Sequence, residues 1–170
     1  MECANIDFKE FCRSFMENDF IFRRVREHDA ADLALLEAFF DQMGGETRAF
    51  FNHGDWNRKF MRASMAGTSD EVSVHWIAEA DGRVAGYVFL TFVDTGIPWL
   101  GIAIAEEMKG RHLGRRLIAL AKDWAKENGK GGVMLTTHVA NIRGQRLYEN
   151  CGFQRLGIHV SGEVLYYWRT

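Results

Sequence analysis

The stretch Ile102-Ala-Ile-Ala-Glu-Glu-Met-Lys-Gly-Arg-His-Leu-Gly-Arg-Arg-Leu117 decides how this sequence folds. It leaves a short apolar run, Trp99–Ala105, of the kind expected of a strand buried on both faces. A loop with Gly110 and Gly114 follows and opens a helix. Leu113, Leu117, Ala121 and Trp124 mark the inner face of that helix, Lys122, Asp123, Lys126 and Glu127 the outer one, and Gly129 ends it. The first N–H groups of a helix have no intrahelical partners, and with the helix dipole they form an anion site. Lys109, Arg111, Arg115 and Arg116 place four cations where the dipole alone favours acidic residues. A polyanionic ligand resolves that conflict; a solvated basic turn is the plainer alternative. GxxxxGK[ST] does not occur, which argues against a P-loop nucleotide site, and neither does a GxGxxG followed by an acidic residue about 20 positions on.

Downstream, Val133–His138 reads as another buried strand. Asn141–Asn150 reads as a helix with Asn141 as N-cap and Gly152 just past its end. Phe153–Ile158 and Val164–Arg169 form a hairpin around Ser161-Gly162. Upstream, Val72–Ala80 and Arg83–Val93 are β-rich runs joined by Asp81-Gly82, a two-residue hairpin link. Before them, Trp56, Phe60 and Ala63 suggest a helix ending near Gly67, and Arg48–Gly54 reads as a loop rich in aromatic and polar side chains. A longer helix runs from Asp29 to about Met43, with Leu33, Leu36 and Phe40 on one face and Gly44-Gly45 as its stop. Phe20–Val25 is the first strand.

The order β-α-α-β-β-β-α-β-α-β-β calls for parallel pairing in its strand–helix–strand units and antiparallel pairing in its hairpins. The expected fold is an α/β, mixed but largely antiparallel sheet with helices on both faces, over residues 20–170. Residues 1–19 form a helical extension: Phe8, Phe11, Cys12, Phe15 and Met16 recur at helical spacing behind Asp7. That helix packs on its own domain or makes a homodimer contact.

At 170 residues, with 47% hydrophobic and 26% charged, the chain has the profile of one soluble globular domain. A net charge of −2 argues against a general nucleic-acid binder. Cys3, Cys12 and Cys151 show no CxxC pattern, no stretch approaches the roughly 20 apolar residues of a membrane helix, and Glu2, Asp7, Lys9 and Glu10 leave no apolar signal region. Reduced thiols, no membrane partner and a cytoplasmic location are expected. The six histidines are scattered without ligand spacing, so no metal is expected.

Two motifs together resemble the GNAT superfamily of N-acyltransferases. Lys109-Gly-Arg-His112-Leu-Gly114 resembles the signature [QR]-x-x-G-x-[GA]. Asn141-Ile-Arg-Gly144-Gln-Arg-Leu-Tyr148-Glu-Asn-Cys-Gly152-Phe153 resembles N-x-x-A-x-x-L-Y-E-x-x-G-F. Lys109 replaces Gln or Arg, His112 replaces a glycine, and Gly144 replaces Ala, leaving room for a close ligand. For His112 an ordinary right-handed helical backbone is expected.

The resemblance implies a GNAT-like fold, with a splayed central sheet that admits acetyl-CoA between Trp99–Ala105 and Val133–His138. It implies that Ile102, Ala103 and Ile104 pair with the pantetheine amides in the manner of strand addition. Lys109, Gly110, Arg111, His112, Leu113, Gly114 and Arg115 would cradle the diphosphate, whose close approach leaves no space for a side chain at Gly114. Asn141 would hydrogen-bond the pantetheine arm. Tyr148 would protonate the departing thiolate, and a small-molecule or peptide amine would be the acceptor. A non-catalytic acetyl-CoA sensor is the alternative.

For direct transfer an alkylammonium must lose a proton, which at pH 7 costs about 4–5 kcal/mol. His138, at the end of its strand, is the leading candidate for the base; Asp94, His53 and Glu79 follow. Phe50, Phe51, His53, Trp56 and Trp99 line either the core or an aromatic acceptor pocket.

Overall fold

A computed structural model describes residues 20–170. The helix expected over residues 1–19, its domain boundary and its dimer alternative lie outside the described residues.

Seven strands form one sheet in the order β1-β2-β3-β4-β5-β7-β6. They are β1 (Ile21–Arg24), β2 (Ser73–Ala80), β3 (Arg83–Thr91), β4 (Trp99–Ile104), β5 (Gly132–Thr137), β6 (Gln154–Ile158) and β7 (Val164–Arg169). Every pairing is antiparallel except β4 with β5. The helices are α1 (Ala30–Gln42), α2 (Gly45–Phe51), α3 (Trp56–Met65), α4 (Leu113–Glu127) and α5 (Ile142–Asn150).

Two cores sit on opposite faces of the sheet. On one, Leu113, Leu117, Ile118, Ala121 and Ala125 of α4 pack against Trp76, Val88 and Leu90, and the core continues through Val133 and Leu135 to Tyr148 and Tyr166. On the other, Leu36, Phe39 and Phe40 of α1 and Phe60, Met61 and Met65 of α3 cover Ile77, Tyr87 and Phe89. In β2 and β3 the side chains on both faces are therefore buried, which is why both strands read as nearly continuous apolar runs.

Local signals place the ends of the elements. Asp29 caps α1 by accepting the Asp32 N–H at 2.9 Å. Asp32 is fully buried yet satisfied: Arg23 contacts both its oxygens at 2.8 and 2.9 Å, and the Arg26 N–H donates at 2.8 Å. Those partners hold the Asp32 carboxyl far below the usual range, the Arg23 hydrogen bonds contributing most.

One segment differs from the expectation. Arg48–Gly54, read as a loop, lies mostly in α2, followed by a 3-10 turn at His53–Asp55. Gly44-Gly45 does not end ordered structure: Gly44 is the extended N-cap of the next helix. That helix has no capping side chain. Tertiary contacts hold it instead, with the Arg48 guanidinium donating to Met43 O at 2.9 Å and to Phe40 O at 3.2 Å, and Phe51 stacking on Phe40.

Candidate functional site: a cleft where two strands part

β4 and β5 are registered through one pair among the described residues, Trp99 with Met134, supported by the Met134 N–H donating to Pro98 O at 3.0 Å. Beyond that point they diverge. The gap is the mouth of a cavity of about 620 Å³, lined by Gly101–Ile104 from β4, Thr136 and Thr137 from β5, the 108–115 loop, and Asn141, Gly144, Leu147 and Tyr148 from α5. β4 is consequently not buried on both faces: Gly101, Ile102 and Ile104 are half-buried while Ala103 is buried against α1 and α3.

The loop entering α4 carries the anticipated cations, and most of them already have partners. Both Glu106 carboxylate oxygens accept from the Lys109 ammonium at 2.7 Å. Glu106 also accepts from the Thr47 N–H and hydroxyl. The Lys109 contact first, then Thr47, draws the Glu106 carboxyl down to about 2. The Arg111 and Arg116 guanidinium groups lie over the Phe20 and Phe22 rings, 4.7 and 4.0 Å from the centroids. Arg115 is exposed and lines the cavity. The charge conflict read from the sequence is thus partly relieved within the protein, and Arg115 at the α4 start, with Arg143 of α5, presents an exposed cation to the cavity.

His112 is the N-cap of α4 with φ +61, a left-handed backbone rather than the expected right-handed one. The turn into α4 demands this geometry, which a glycine adopts without strain. His is among the residues that tolerate it.

Gly114 and Gly144 are closely approached by side chains inside the protein. A Cβ on Gly114 would stand 2.8 Å from Leu147 Cδ2, so this glycine lets α4 approach α5. A Cβ on Gly144 would stand 2.4 Å from Asn141 Nδ2. The Asn141 side chain caps α5, accepting the Gly144 N–H at 3.0 Å, and its amide donates to Thr137 Oγ1 at 2.9 Å. The room expected at Gly144 for a ligand is occupied by Asn141.

Tyr148 is 7% exposed, with Phe153 and Tyr166 packed against its ring. It shares the cavity wall with Thr137. Burial above all raises its pKa well beyond that of a free tyrosine, so it is a phenol at neutral pH. Burial also raises the Cys151 thiol, which keeps it protonated and poorly nucleophilic.

The candidate bases separate. His138 is exposed, stacks on Phe50 at 5.4 Å and accepts the Ala140 N–H at Nδ1; it does not line the cavity. Glu79 pairs with Arg23 at 3.0 Å, and Asp94 is exposed outside the cavity. His53 lines it, together with Phe50, Phe51, Trp56 and Trp99. Phe92, at the same end, holds φ +56, rare for a bulky side chain, while its carbonyl accepts from the Thr95 N–H at 3.0 Å and hydroxyl at 2.8 Å.

Several lining residues escaped the sequence reading, Thr137 and Glu163 among them. Thr137 is the last residue of β5, inside the expected strand Val133–His138, and its place four residues before the Asn141 cap is the available signal. Glu163 reaches the cavity because Val164 is registered opposite Thr137, which no local pattern announces.

Among the described residues, no group of three or more His, Cys, Asp or Glu is arranged to hold a metal ion, and no helix is long and apolar enough to cross a membrane.

A parted β4–β5 pair, a glycine-containing turn at a helix start and a buried tyrosine meet at one cavity. The profile of the acetyltransferase (GNAT) family matches residues 33–153, and the chain belongs to that family. It is similar to streptothricin acetyltransferase of Escherichia coli, 29% identical over 110 residues that cover 59% of this chain and 63% of that one. The chain spans about half the length of the curated relatives it matches. The GNAT domain of S. lividans PAT superposes with a TM-score of 0.73 at 14% identity, over 89% of this chain and 90% of that one. The paia N-acetyltransferase of Thermoplasma acidophilum, solved in complex with coenzyme A, does so with 0.65 at 15% identity, over 89% and 99%. At those identities the likeness is one of fold.

Proposed function

We propose that this chain transfers the acetyl group of acetyl-CoA directly to an amine within a ternary complex. The observation that carries the reading is the cavity itself, which opens where β4 leaves β5 and brings Tyr148, the β4 backbone and the start of α4 to one space. Ile102, Ala103 and Ile104 offer backbone groups without a β5 partner to the pantetheine arm. The N–H groups at the start of α4, with Arg115, receive the diphosphate.

A neutral amine attacks the thioester carbonyl carbon while a β4 backbone N–H polarises its oxygen. As the carbon–sulfur bond breaks, the Tyr148 phenol gives its proton to sulfur. No enzyme thiol is needed, consistent with the raised pKa of Cys151.

A sensor that binds acetyl-CoA without turnover would use the same cavity but would not need Tyr148 as an acid. Mass spectrometry of amines incubated with acetyl-CoA and the protein tests the proposal. An acetylated amine is expected. Tight CoA binding with no product from any amine class would favour the sensor.

A further inference from the structure

Two carboxylates line the cavity, Glu46 and Glu163. Glu46 is exposed on α2, next to Thr47, whose tie to Glu106 and Lys109 puts it on the diphosphate side. Glu163 is half-buried at the other end, in the turn between β6 and β7. That turn is anchored: the His159 N–H donates to Glu163 O at 2.8 Å and the Gly162 N–H to His159 O at 2.9 Å. Position 163 precedes Val164, registered opposite Thr137, which lines the cavity together with Tyr148. The Glu163 charge is close enough to be felt at the Tyr148 phenol. Trp99, another lining residue, packs edge-on against His159 of the same turn at 5.7 Å. Beyond Trp99 the wall continues with Phe50, Phe51, Trp56 and Phe92.

We propose that the Trp99 end of the cavity is an acceptor subsite for a primary monoamine borne on an aromatic or extended apolar group, with the Glu163 carboxylate receiving its ammonium. This rests on the acetyl-transfer reading above. Aromatic faces attract a cation and bury an apolar body. One carboxylate beside Tyr148 matches one ammonium, whereas a polycation would need several.

The proton accounting closes. Glu163 takes one proton from the ammonium, freeing the nitrogen lone pair. That pair forms the carbon–nitrogen bond, and the electrons of the carbon–sulfur bond leave with sulfur. Sulfur takes the Tyr148 proton, and the second proton shed by nitrogen restores the phenol. The products are the N-acetyl amine, free CoA and one proton released from Glu163 to solvent.

The test compares phenethylamine, ethylamine, spermidine and a tetrapeptide as acceptors for the wild type and Glu163→Gln, from pH 7 to pH 10. Phenethylamine should exceed each of the others in kcat/KM by at least tenfold. Glu163→Gln should lower its turnover about 10²-fold at pH 7, and recover towards wild type near pH 10, where solvent has already deprotonated the amine. Calorimetric titration of phenethylamine into the CoA-loaded protein should show weaker binding in the variant, with CoA-induced thermal stabilisation unchanged. A preference for ethylamine, spermidine or the peptide overturns the subsite, as does a variant whose pH profile runs parallel to wild type, while CoA binding stands. Absence of CoA-induced stabilisation in the wild type overturns the acetyl-transfer reading and this one with it.

Discussion

The Asn141 side chain ties two elements together: its amide donates to Thr137 Oγ1 at 2.9 Å and its oxygen accepts the Gly144 N–H at 3.0 Å. Asn141 and Tyr148 are seven residues apart, about two helical turns, so both face the cavity from one side of α5. The cap that starts the helix is thus tied to the last residue of β5, on the cavity wall that Tyr148 shares.

Tyr148→Phe keeps the ring and its contacts with Phe153 and Tyr166 and removes the hydroxyl. Single-turnover measurements are expected to show acetyl transfer at least ~10-fold slower, with acetyl-CoA affinity little changed. Thr137→Val should slow transfer less and lower stability by ~1 kcal/mol. A Tyr148→Phe enzyme with full turnover and only a lower melting point would make the phenol a packing residue.

Coenzyme A at a hundredfold excess over its Kd should stabilise the protein by ~2.7 kcal/mol. Arg115→Glu should abolish most of that gain, since it turns the exposed cation at the α4 start into an anion, and it should leave the ligand-free melting point near wild type. Gly114→Glu is a poor probe, because its side chain meets Leu147 and disturbs α4–α5 packing before any ligand is considered. Unaltered CoA stabilisation of Arg115→Glu would move the diphosphate away from this turn.

His112→Gly should stabilise the fold by about 0.5–1 kcal/mol, the left-handed penalty of an L-residue less the extra chain entropy of glycine. Urea unfolding reads this directly. His112→Val, branched at Cβ and ill-suited to φ +61, should destabilise. A neutral or destabilising His112→Gly would mean that the imidazole makes contacts worth more than its backbone strain.

His75 is 2% exposed; Nδ1 meets the Tyr87 hydroxyl at 2.7 Å, and Nε2 meets the Ser64 and Ser73 hydroxyls, each at 2.8 Å. Burial, with a smaller push from the Arg24 charge, lowers its pKa to about 4. The unfolded chain therefore binds the proton more tightly than the native one, and stability rises with pH across this window. The contribution is complete above about pH 6.5 and is lost as pH falls towards 4, on the order of 2 kcal/mol between pH 7 and pH 5. Urea titrations at those two values check it. The Glu106 and Asp32 carboxyls add their losses at lower pH, since both are held below their ordinary range. A stability unchanged from pH 7 to pH 5 would place His75 in a less enclosed setting.

Much of the fold is legible in local pattern. The Asp81-Gly82 link, the Asp29 cap and the Asn141 cap all stand where the sequence puts them. What escaped was set by distant partners. α2 has no capping side chain of its own and is held by Arg48, Phe51 and the Thr47–Glu106 contact. The left-handed turn at His112 hides behind an ordinary side chain, where a glycine would have announced it. Glu163 lies 15 residues from Tyr148 along the chain and reaches it through the β5–β7 register.

A sheet ordinarily has two outer borders, and here both are modest: β1 has four residues, and β6 has an irregular register between Arg155 and Gly157. The divergence past Trp99 and Met134 opens a third border in the middle of the sheet. Unpaired strand groups are a template for any passing polypeptide, yet this border sits at the bottom of a cavity walled by α2, the α4 turn and α5. Access is thereby rationed by width: a slender linear chain of amides can reach the unpaired groups, whereas another protein's sheet cannot, and the same opening that admits the one guards against aggregation through the other.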